Sequence, residues 1–275
     1  MLTLVEVTNA SSNTLQLPIA DSSAGYVVIE IDGLDPVNAA LTSSSMAQVD
    51  GAQPQNARRD TRNITMKVGL VPDFVTTTVD SLRSNLYDYF MSKANVSLAF
   101  YKDDALYAVC SGQVETCSNN MFSADPEVDI SIICYDPDFY GPAPEVLSAN
   151  TTSNTDTQTI SYEGSSDSGI IFTLSMTENV TTGITLYNIR PDNTVQIMSI
   201  RGRTFLTPGQ IIVNTIPGQK SLQYAIGGVS PSILTWFDPT SDWISLGKGD
   251  NQFRAVIDGD PQPYTVSYVA QYGAL

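Results

Sequence analysis

The stretch Val128-Asp-Ile-Ser-Ile-Ile-Cys134, followed by Tyr135-Asp-Pro-Asp-Phe139, decides the fold class of this chain. Its apolar residues alternate with Asp129 and Ser131, so that one face is apolar and the other polar. Such alternation is typical of a strand with one buried face. Pro137 ends the strand, because proline cannot donate to a sheet ladder. The segment therefore predicts a half-buried strand, and with it a protein built mainly from β-sheets.

The same alternation recurs on both sides of this stretch. Before it, Val96, Leu98 and Phe100 share a face, and a turn-like segment separates them from a second strand over residues 106–113, which predicts a hairpin. After it, short strand-like runs with turn signals about every ten residues predict a β-sandwich or jelly roll. These runs cover residues 170–176, 184–188, 195–200, 210–214, 222–226, 243–246, 252–257 and 264–272.

One segment has helical spacing instead. Between Pro72 and Ala94 apolar residues recur at intervals of three and four, among them Val75, Leu82 and Leu86. The sequence predicts an amphipathic helix over about residues 73–94, beginning at Pro72-Asp73. Asp80 is expected to reach Arg83 one turn along this helix.

The segment between Gly141 and Thr159 separates two β-rich halves. It holds prolines followed by Ser, Asn, Thr, Asp and Gln with few apolar residues, a composition typical of a linker or a long surface loop. A chain of 275 residues is long enough for two ordinary domains. We therefore expect a first domain over residues 1–145 and a second over residues 146–275.

The charge distribution contains a basic cluster in an acidic chain. The formal net charge is −16, yet four of the thirteen cationic residues fall within ten positions, at Arg58, Arg59, Arg62 and Lys67. Nucleic acid would meet repulsion from the other carboxylates, so the favoured partner is an acidic protein surface, and another copy of this chain supplies one. Bidentate pairing of arginines with carboxylates would suit such an inter-subunit contact. The alternative is a solvated charged face.

The absence of histidine restricts the chemistry. Zero histidines exclude Ser-His-Asp and Cys-His catalysis and histidine-ligated metal sites. A glycosidase with two carboxylates is still compatible with the 29 acidic residues, but their spacing selects no pair. We assign no catalytic residue, cofactor or metal site, and expect the protein not to be an enzyme.

The cysteines and tryptophans each allow two interpretations. Cys110, Cys117 and Cys134 match neither zinc nor redox spacing, so buried thiols are expected, with a disulfide between two of them as the alternative. Trp236 and Trp243 could stack on a sugar ring, or could close the core of a β-sandwich, which is the favoured interpretation.

The start of the chain carries no targeting signal. Met1-Leu-Thr-Leu-Val-Glu6 has no cationic segment followed by an apolar one, and no apolar run approaches the roughly 18 residues of a membrane span. We expect synthesis in the cytosol and no membrane insertion.

Taken in order, several motifs resemble the distal tail protein family of long-tailed, siphovirus-type bacteriophages. The single predicted helix lies between the third and fourth of them, and no motif matches between residues 145 and 235. The motifs are Ile29-Glu-Ile-Asp-Gly-Leu-Asp-Pro-Val37, Asp50-Gly-Ala-Gln53, Arg58-Arg-Asp-Thr-Arg-Asn-Ile64, Gly112-Gln-Val-Glu115, the stretch Val128–Phe139, Asp238-Pro-Thr-Ser-Asp-Trp-Ile-Ser-Leu-Gly-Lys-Gly-Asp-Asn251 and Tyr272-Gly-Ala-Leu275.

The resemblance implies a structural virion protein without a cofactor. Its first domain would be a tube-like β-sandwich or barrel with one helix, and its second a galectin-like jelly-roll sandwich. Six copies would form a ring at the tail tip that joins the tail tube protein to the hub protein and to receptor-binding or side-fibre proteins. DNA would pass through the channel without specific binding, and the acidity of the chain fits such a channel. The protein would be made in the bacterial host cytoplasm. The alternative is a carbohydrate-binding adhesin or baseplate module that contacts the host surface.

Overall fold

The computed structural model describes residues 1–19, 21–22, 24–45, 50–119, 125–152 and 155–275. These residues form two compact units. The first unit comprises Met1–Pro142 together with Tyr272–Leu275, and the second comprises Ala143–Gln271. The inclusion of the last four residues in the first unit is a feature that the sequence analysis did not predict.

The first unit contains a main antiparallel sheet and one helix. Its described strands are β1 (Leu2–Asn9), β2 (Thr14–Pro18), β3 (Tyr26–Asp32), β4 (Ala39–Ser44), β5 (Gln53–Arg59), β6 (Arg62–Leu70), β7 (Asn95–Lys102), β8 (Ala105–Asn119), β9 (Glu127–Cys134) and β10 (Phe139–Tyr140), with the helix α1 (Val79–Phe90) between β6 and β7. The strand predicted from Val128–Cys134 is β9, and the predicted hairpin is β7–β8.

The strands pair in the order β2-β1-β7-β8-β9-β6-β3. In β9 the residues at every second position are buried, as the alternation of its sequence requires. The buried face continues through Ile64 on β6 and Leu98 on β7, and α1 adds Leu82 and Leu86 to the same core. The described residues show no ladder between β2 and β3, the two ends of this order. The sheet is therefore open, and of the two predicted forms the closed barrel is not the one observed.

The helix is shorter than predicted. It begins at Val79 with Thr78 as its N-cap, because the Thr78 side chain accepts from the Ser81 amide while the Ser81 hydroxyl accepts from the Thr78 amide. The predicted start at Pro72-Asp73 is wrong: Asp73 accepts hydrogen bonds from the amides that follow it and forms a turn there. The expected contact between Asp80 and Arg83 is present.

A separate two-stranded sheet projects from the first unit. β4 and β5 pair with each other, from Ala39 opposite Arg59 to Ser44 opposite Gln53. All seven residues of β5 are exposed, and Leu41 on β4 is 76% exposed. We call β4 and β5 the hairpin arm. Since a lone two-stranded hairpin is marginally stable in water, the arm has a surface that a partner would stabilise.

The second unit is a sandwich of two sheets with paired orders β11-β21-β14-β17-β18 and β12-β20-β15-β16. Rings from both sheets meet in its core, with Phe172 on one sheet 6.1 Å from Phe253 on the other. The strands are β11 (Glu145–Asn150), β12 (Gln158–Tyr162), β13 (Ser168–Gly169), β14 (Ile171–Ser175), β15 (Ile184–Ile189), β16 (Val195–Ile200), β17 (Gln210–Asn214), β18 (Ser221–Ala225), β19 (Ser245–Leu246), β20 (Gly249–Ile257) and β21 (Pro263–Tyr268), with a 3₁₀ turn at Leu234–Trp236. The last strand of the chain, β22 (Gln271–Tyr272), pairs with β10 instead.

The prediction of a linker over residues 141–159 is wrong for much of that segment. Glu145–Asn150 forms β11, an edge strand that pairs with β21 over six residues. Neither face of β11 has a buried residue. Its sequence therefore needs no alternation of apolar and polar residues, and it resembles the sequence of a loop. The prediction of a mainly β fold with one α-helix and a second β-sandwich is confirmed for the described residues. None of their helices is long and apolar enough to cross a membrane.

All three cysteines are free thiols, and the expected burial is found for Cys110 and Cys134 but only in part for Cys117. Cys110 and Cys134 are buried with their sulfurs 4.0 Å apart, and hydrogen bonding to Cys134 together with burial raises the pKa of Cys110. Cys117 is half-buried, and burial raises its pKa from 9.0 to about 11.

Alkylation with iodoacetamide provides a test of this arrangement. Because the thiolate is the reactive form, we expect Cys117 in the folded protein at pH 8 to react about 100-fold more slowly than in denaturant. Cys110 and Cys134 should resist labelling until the first unit unfolds. Mass spectrometry of the labelled peptides measures each rate. Fast native labelling of Cys110 or Cys134 would contradict the described core.

Candidate subunit interface

The basic cluster lies where the hairpin arm joins the main sheet of the first unit. Arg58 and Arg59 are the last residues of β5, Arg62 is the first residue of β6, and Lys67 lies further along β6. Asp60 and Thr61 connect the two strands, so three of the four cations stand at one corner. The structure nevertheless places the four side chains in different environments.

Arg62 is buried, with 1% of its surface exposed. Its guanidinium donates to four backbone carbonyls: Nε to Pro137 at 2.8 Å, Nη1 to Gly33 at 2.5 Å and Asp35 at 2.7 Å, and Nη2 to Gly273 at 2.6 Å. Burial lowers the pKa of Arg62, but a guanidinium stays charged at neutral pH. Because Arg62 is buried and these donors point to carbonyls of its own chain, we do not include it in the surface assigned to contact between copies.

An aromatic ring completes the environment of Arg62. The guanidinium carbon lies 4.2 Å from the centroid of the Phe139 ring, a distance at which a cation is attracted to the face of the ring. Phe139 itself packs edge-on against Phe100 in the core. Arg62 therefore connects the segment after β9 and the end of the chain to the first unit.

Arg59 forms a bidentate pair with Asp138 of its own chain. The sequence predicted such a pair with a carboxylate of a neighbouring copy. Nη1 lies 2.5 Å from Asp138 Oδ1 and Nη2 2.6 Å from Asp138 Oδ2, and this hydrogen bonding raises the pKa of Arg59. About half of the Arg59 side chain is still exposed, whereas that of Asp138 is almost fully buried. The pair fixes the base of the hairpin arm.

Lys67 lies among carboxylates on the polar face of the main sheet. Its Nζ is 3.8 Å from Glu127 and 4.0 Å from Asp129, and Glu30 stands opposite it on β3. We call this surface the acidic face. It carries one cation, Lys67, and five carboxylates, Glu30, Asp32, Glu115, Glu127 and Asp129.

Arg58, like Arg59, is exposed. It stands opposite Ala40 in the hairpin arm, next to the Arg59–Asp138 pair that holds the base of the arm. Its charge is therefore carried on an exposed, two-stranded projection. Among the four residues of the basic cluster, Arg58 has the position that best fits contact with another molecule.

Both tryptophans are packed in the second unit. The Trp243 ring is stacked on Phe237 with centroids 4.8 Å apart, and Lys220 lies 5.3 Å from its centroid. Trp236 contacts Phe205 edge-on at 5.8 Å. Both indoles are half-buried. These contacts favour the role in the sandwich over sugar stacking.

The acidic face was not predicted, although its signal is present in the sequence. On β9 Asp129 and Ser131 alternate with apolar residues, and Glu30 and Asp32 alternate in the same way on β3. The pairing of β3, β6 and β9 brings these positions to one surface. Strand order was the missing information, because alternation gives the face of each residue but not its neighbours.

No protein-family model matches the chain, and no curated protein sequence matches it. Solved structures do. The crystal structure of the Dit protein of phage SPP1 is similar with a TM-score of 0.67 and 16% sequence identity, covering 97% of this chain and 98% of that one. Two baseplate structures of phage P2, in the activated conformation with Ca and with Sr, have TM-scores of 0.44 and 0.45 at 9% identity. The likeness to SPP1 Dit shows that both chains share one fold over almost their entire length, as the resemblance to distal tail proteins predicts.

Proposed function

We propose that this chain is a structural protein of a bacteriophage tail, which forms a hexameric ring at the distal end of the tail. One observation carries the proposal: the fold is that of SPP1 Dit over 97% of the chain. The structure of that protein is described as a paradigm of the hub adsorption apparatus in phages that infect Gram-positive bacteria. The ring would join the tail tube protein to the hub protein and to receptor-binding or side-fibre proteins. The chain would be made in the host cytoplasm and reside in the virion.

The hairpin arm is the surface that we assign to contact between copies. It is exposed on all of β5 and largely polar, it is held at its base by the Arg59–Asp138 pair, and it presents Arg58. The net charge of −16 makes acidic surface abundant on every other copy. A contact of one surface with a different surface on the next copy is head-to-tail, and such contacts close into a ring when the rotation allows.

The acidic face is the surface that we assign to the channel. Its five carboxylates outnumber the single Lys67, which is already close to two of them. A lining of this charge repels phosphate, so DNA would pass without binding. The proposal requires no catalytic step, and no group of three or more potential metal ligands occurs among the described residues.

Light scattering coupled to gel filtration tests the proposal. We expect the wild-type protein, alone or with the tail tube protein, to have a mass about six times the 29.7 kDa of one chain. Arg58→Glu should raise the dissociation constant of the ring at least about 10-fold, because it places a like charge against an acidic neighbour. Lys248→Glu, an equal charge change at an exposed site of the second unit, is the control. A wild-type protein that is monomeric under every condition would contradict the proposal.

A further inference from the structure

The loop before α1 presents large apolar side chains to solvent. Phe74 is 79% exposed and Val75 is 89% exposed. Phe74 has a φ of +54°, a backbone conformation that bulky residues rarely adopt. We call residues 73–77 the Phe74 loop. Backbone strain is typical of functional sites. Here the strained residue exposes its aromatic ring, so that within one chain no packing of the ring offsets the strain.

The Phe74 loop is held rigidly by one carboxylate. Asp73 accepts from the amides of Val75, Thr76 and Thr77 at 3.0, 2.8 and 2.7 Å. It also accepts from the hydroxyls of Thr76 at 2.5 Å and Thr77 at 3.0 Å. These bonds, led by that of the Thr76 hydroxyl, hold the pKa of Asp73 well below its ordinary value. The apolar tip is therefore preorganised, which reduces the conformational entropy lost when it binds.

A groove of the first unit has a size that suits this tip. It has a volume of about 380 Å³ and its accessible lining is mainly carbon. Its floor crosses the main sheet at Val96 and Gly112, whose side-chain positions face the core: Val96 is buried, and a Cβ at Gly112 would meet Ile132 and Cys134. The exposed Tyr135 forms a wall, with its hydroxyl donating to Gln113 at 3.2 Å. We call it the Gly112 groove. Its remaining lining residues are Thr8, Asn9, Ala10, Asn95, Ser97, Ser111 and Asp136.

The Phe74 loop cannot fill the groove of its own chain. Gln113 in the groove stands opposite Ile133, and Ile133 stands opposite Asn63 of β6. The loop follows Leu70, the last residue of the same strand. Along β6, Asn63 at the level of the groove and Leu70 before the loop are seven residues apart, which corresponds to roughly 24 Å. The loop and the groove thus lie at opposite ends of the strands.

Charge at the two sites favours a second copy as the occupant. The loop carries the carboxylate of Asp73, and Lys93 is exposed beside the groove, where its carbonyl accepts from the Gln113 side chain at 3.0 Å. One acid, Asp136, also lines the groove, and its oxygens accept from the Asp138 amide and the Tyr140 hydroxyl. An ammonium near a docked Asp73 would strengthen the contact.

We propose that the Phe74 loop of one copy inserts into the Gly112 groove of the next. This inference rests on the ring proposed above and names a contact within it. The two surfaces differ and lie at opposite ends of the sheet, so each copy donates one loop and accepts another. Repetition of such a contact closes into a ring when the rotation between copies allows.

A photo-crosslinker at the loop tests the contact directly. Full-length protein with p-benzoylphenylalanine at position 74 is assembled, irradiated and digested, and mass spectrometry identifies the crosslinked peptides. We expect links between copies, from position 74 to peptides that contain Ala10, Ser97 or Tyr135. Links to other regions of a second copy, to a different tail protein, or none in an assembled ring would overturn the inference and leave the ring proposal intact. Failure of the wild-type protein to assemble would overturn both.

Substitutions on the two surfaces give an independent test. Phe74→Ser with Val75→Ser should raise the dissociation constant of the ring about 100-fold, because two apolar side chains lose their burial. Ala10→Trp, which fills the groove from an exposed position, should weaken assembly in the same way. Val229→Ser removes a similarly exposed side chain from the second unit and should have no effect. Assembly of the loop variant with wild-type affinity would contradict the proposal.

Discussion

Replacement of Arg62 with methionine lowers the free energy of unfolding of the first unit by about 3–5 kcal/mol. The substitution keeps much of the side-chain volume but removes donors from the carbonyls of Gly33, Asp35, Pro137 and Gly273. Each of these carbonyls then loses a hydrogen bond to a charged donor. The contact with the Phe139 ring is lost as well. Arg62→Lys retains the charge but cannot donate in four directions, so we expect a smaller but clear loss.

Hydrogen exchange is the appropriate measurement for Arg62, since both tryptophans lie in the second unit and their fluorescence reports on that unit. Protection of peptides from β6 and β9 should fall, while peptides from β14 and β20 should exchange as in the wild type. Arg58→Met is the control, and its exposed side chain predicts a change within about 0.5 kcal/mol. Wild-type protection of β6 in Arg62→Met would show that the described carbonyl contacts do not stabilise the first unit.

Removal of the outer part of the hairpin arm weakens assembly without unfolding the chain. The change replaces residues 42–56 with Asn-Gly, a two-residue turn suited to the remaining ladder. Because all of β5 is exposed, the free energy of unfolding should change by less than about 1 kcal/mol. We expect the dissociation constant of the ring to rise at least about 100-fold, since the arm is the principal surface that we assign to contact between copies.

Light scattering measures assembly of the arm variant, and hydrogen exchange of β6 and β9 measures its fold. A two-residue insertion after Gly259, at a site with open space around it, serves as the control for a change of chain length. Loss of assembly with preserved exchange supports the assigned interface. Rings of normal stability without the arm would place the interface elsewhere.

The sequence predicted the class of fold because most strands bury one face. The alternation in Val128–Cys134 appears unchanged as burial along β9. Where burial does not alternate, prediction failed: β11 has no buried residue, and its sequence was interpreted as a linker. The helix was predicted too long because Val75 continues the apolar spacing of α1, whereas the hydrogen bonds of Asp73 end that regularity before Thr78.

The candidate interface was predicted less completely than the fold. Clustering along the chain identified Arg58, Arg59, Arg62 and Lys67, but it gave no information on burial. The acceptors that bury Arg62 come from segments as distant as Gly273, 211 positions along the chain. Lys67 was separated from the others because the side chains of β6 alternate between the core and the polar face. Such distant contacts depend on the strand order, which local patterns do not specify.

The proposed function depends on a ring of copies of this chain around a channel. Electron microscopy of the purified full-length protein, alone and with the tail tube protein, measures this most directly. We predict class averages with six-fold symmetry and a central hole, and the same images from the Lys248→Glu control. Images of single two-unit particles at every concentration, or of rings without an open centre, would contradict the account.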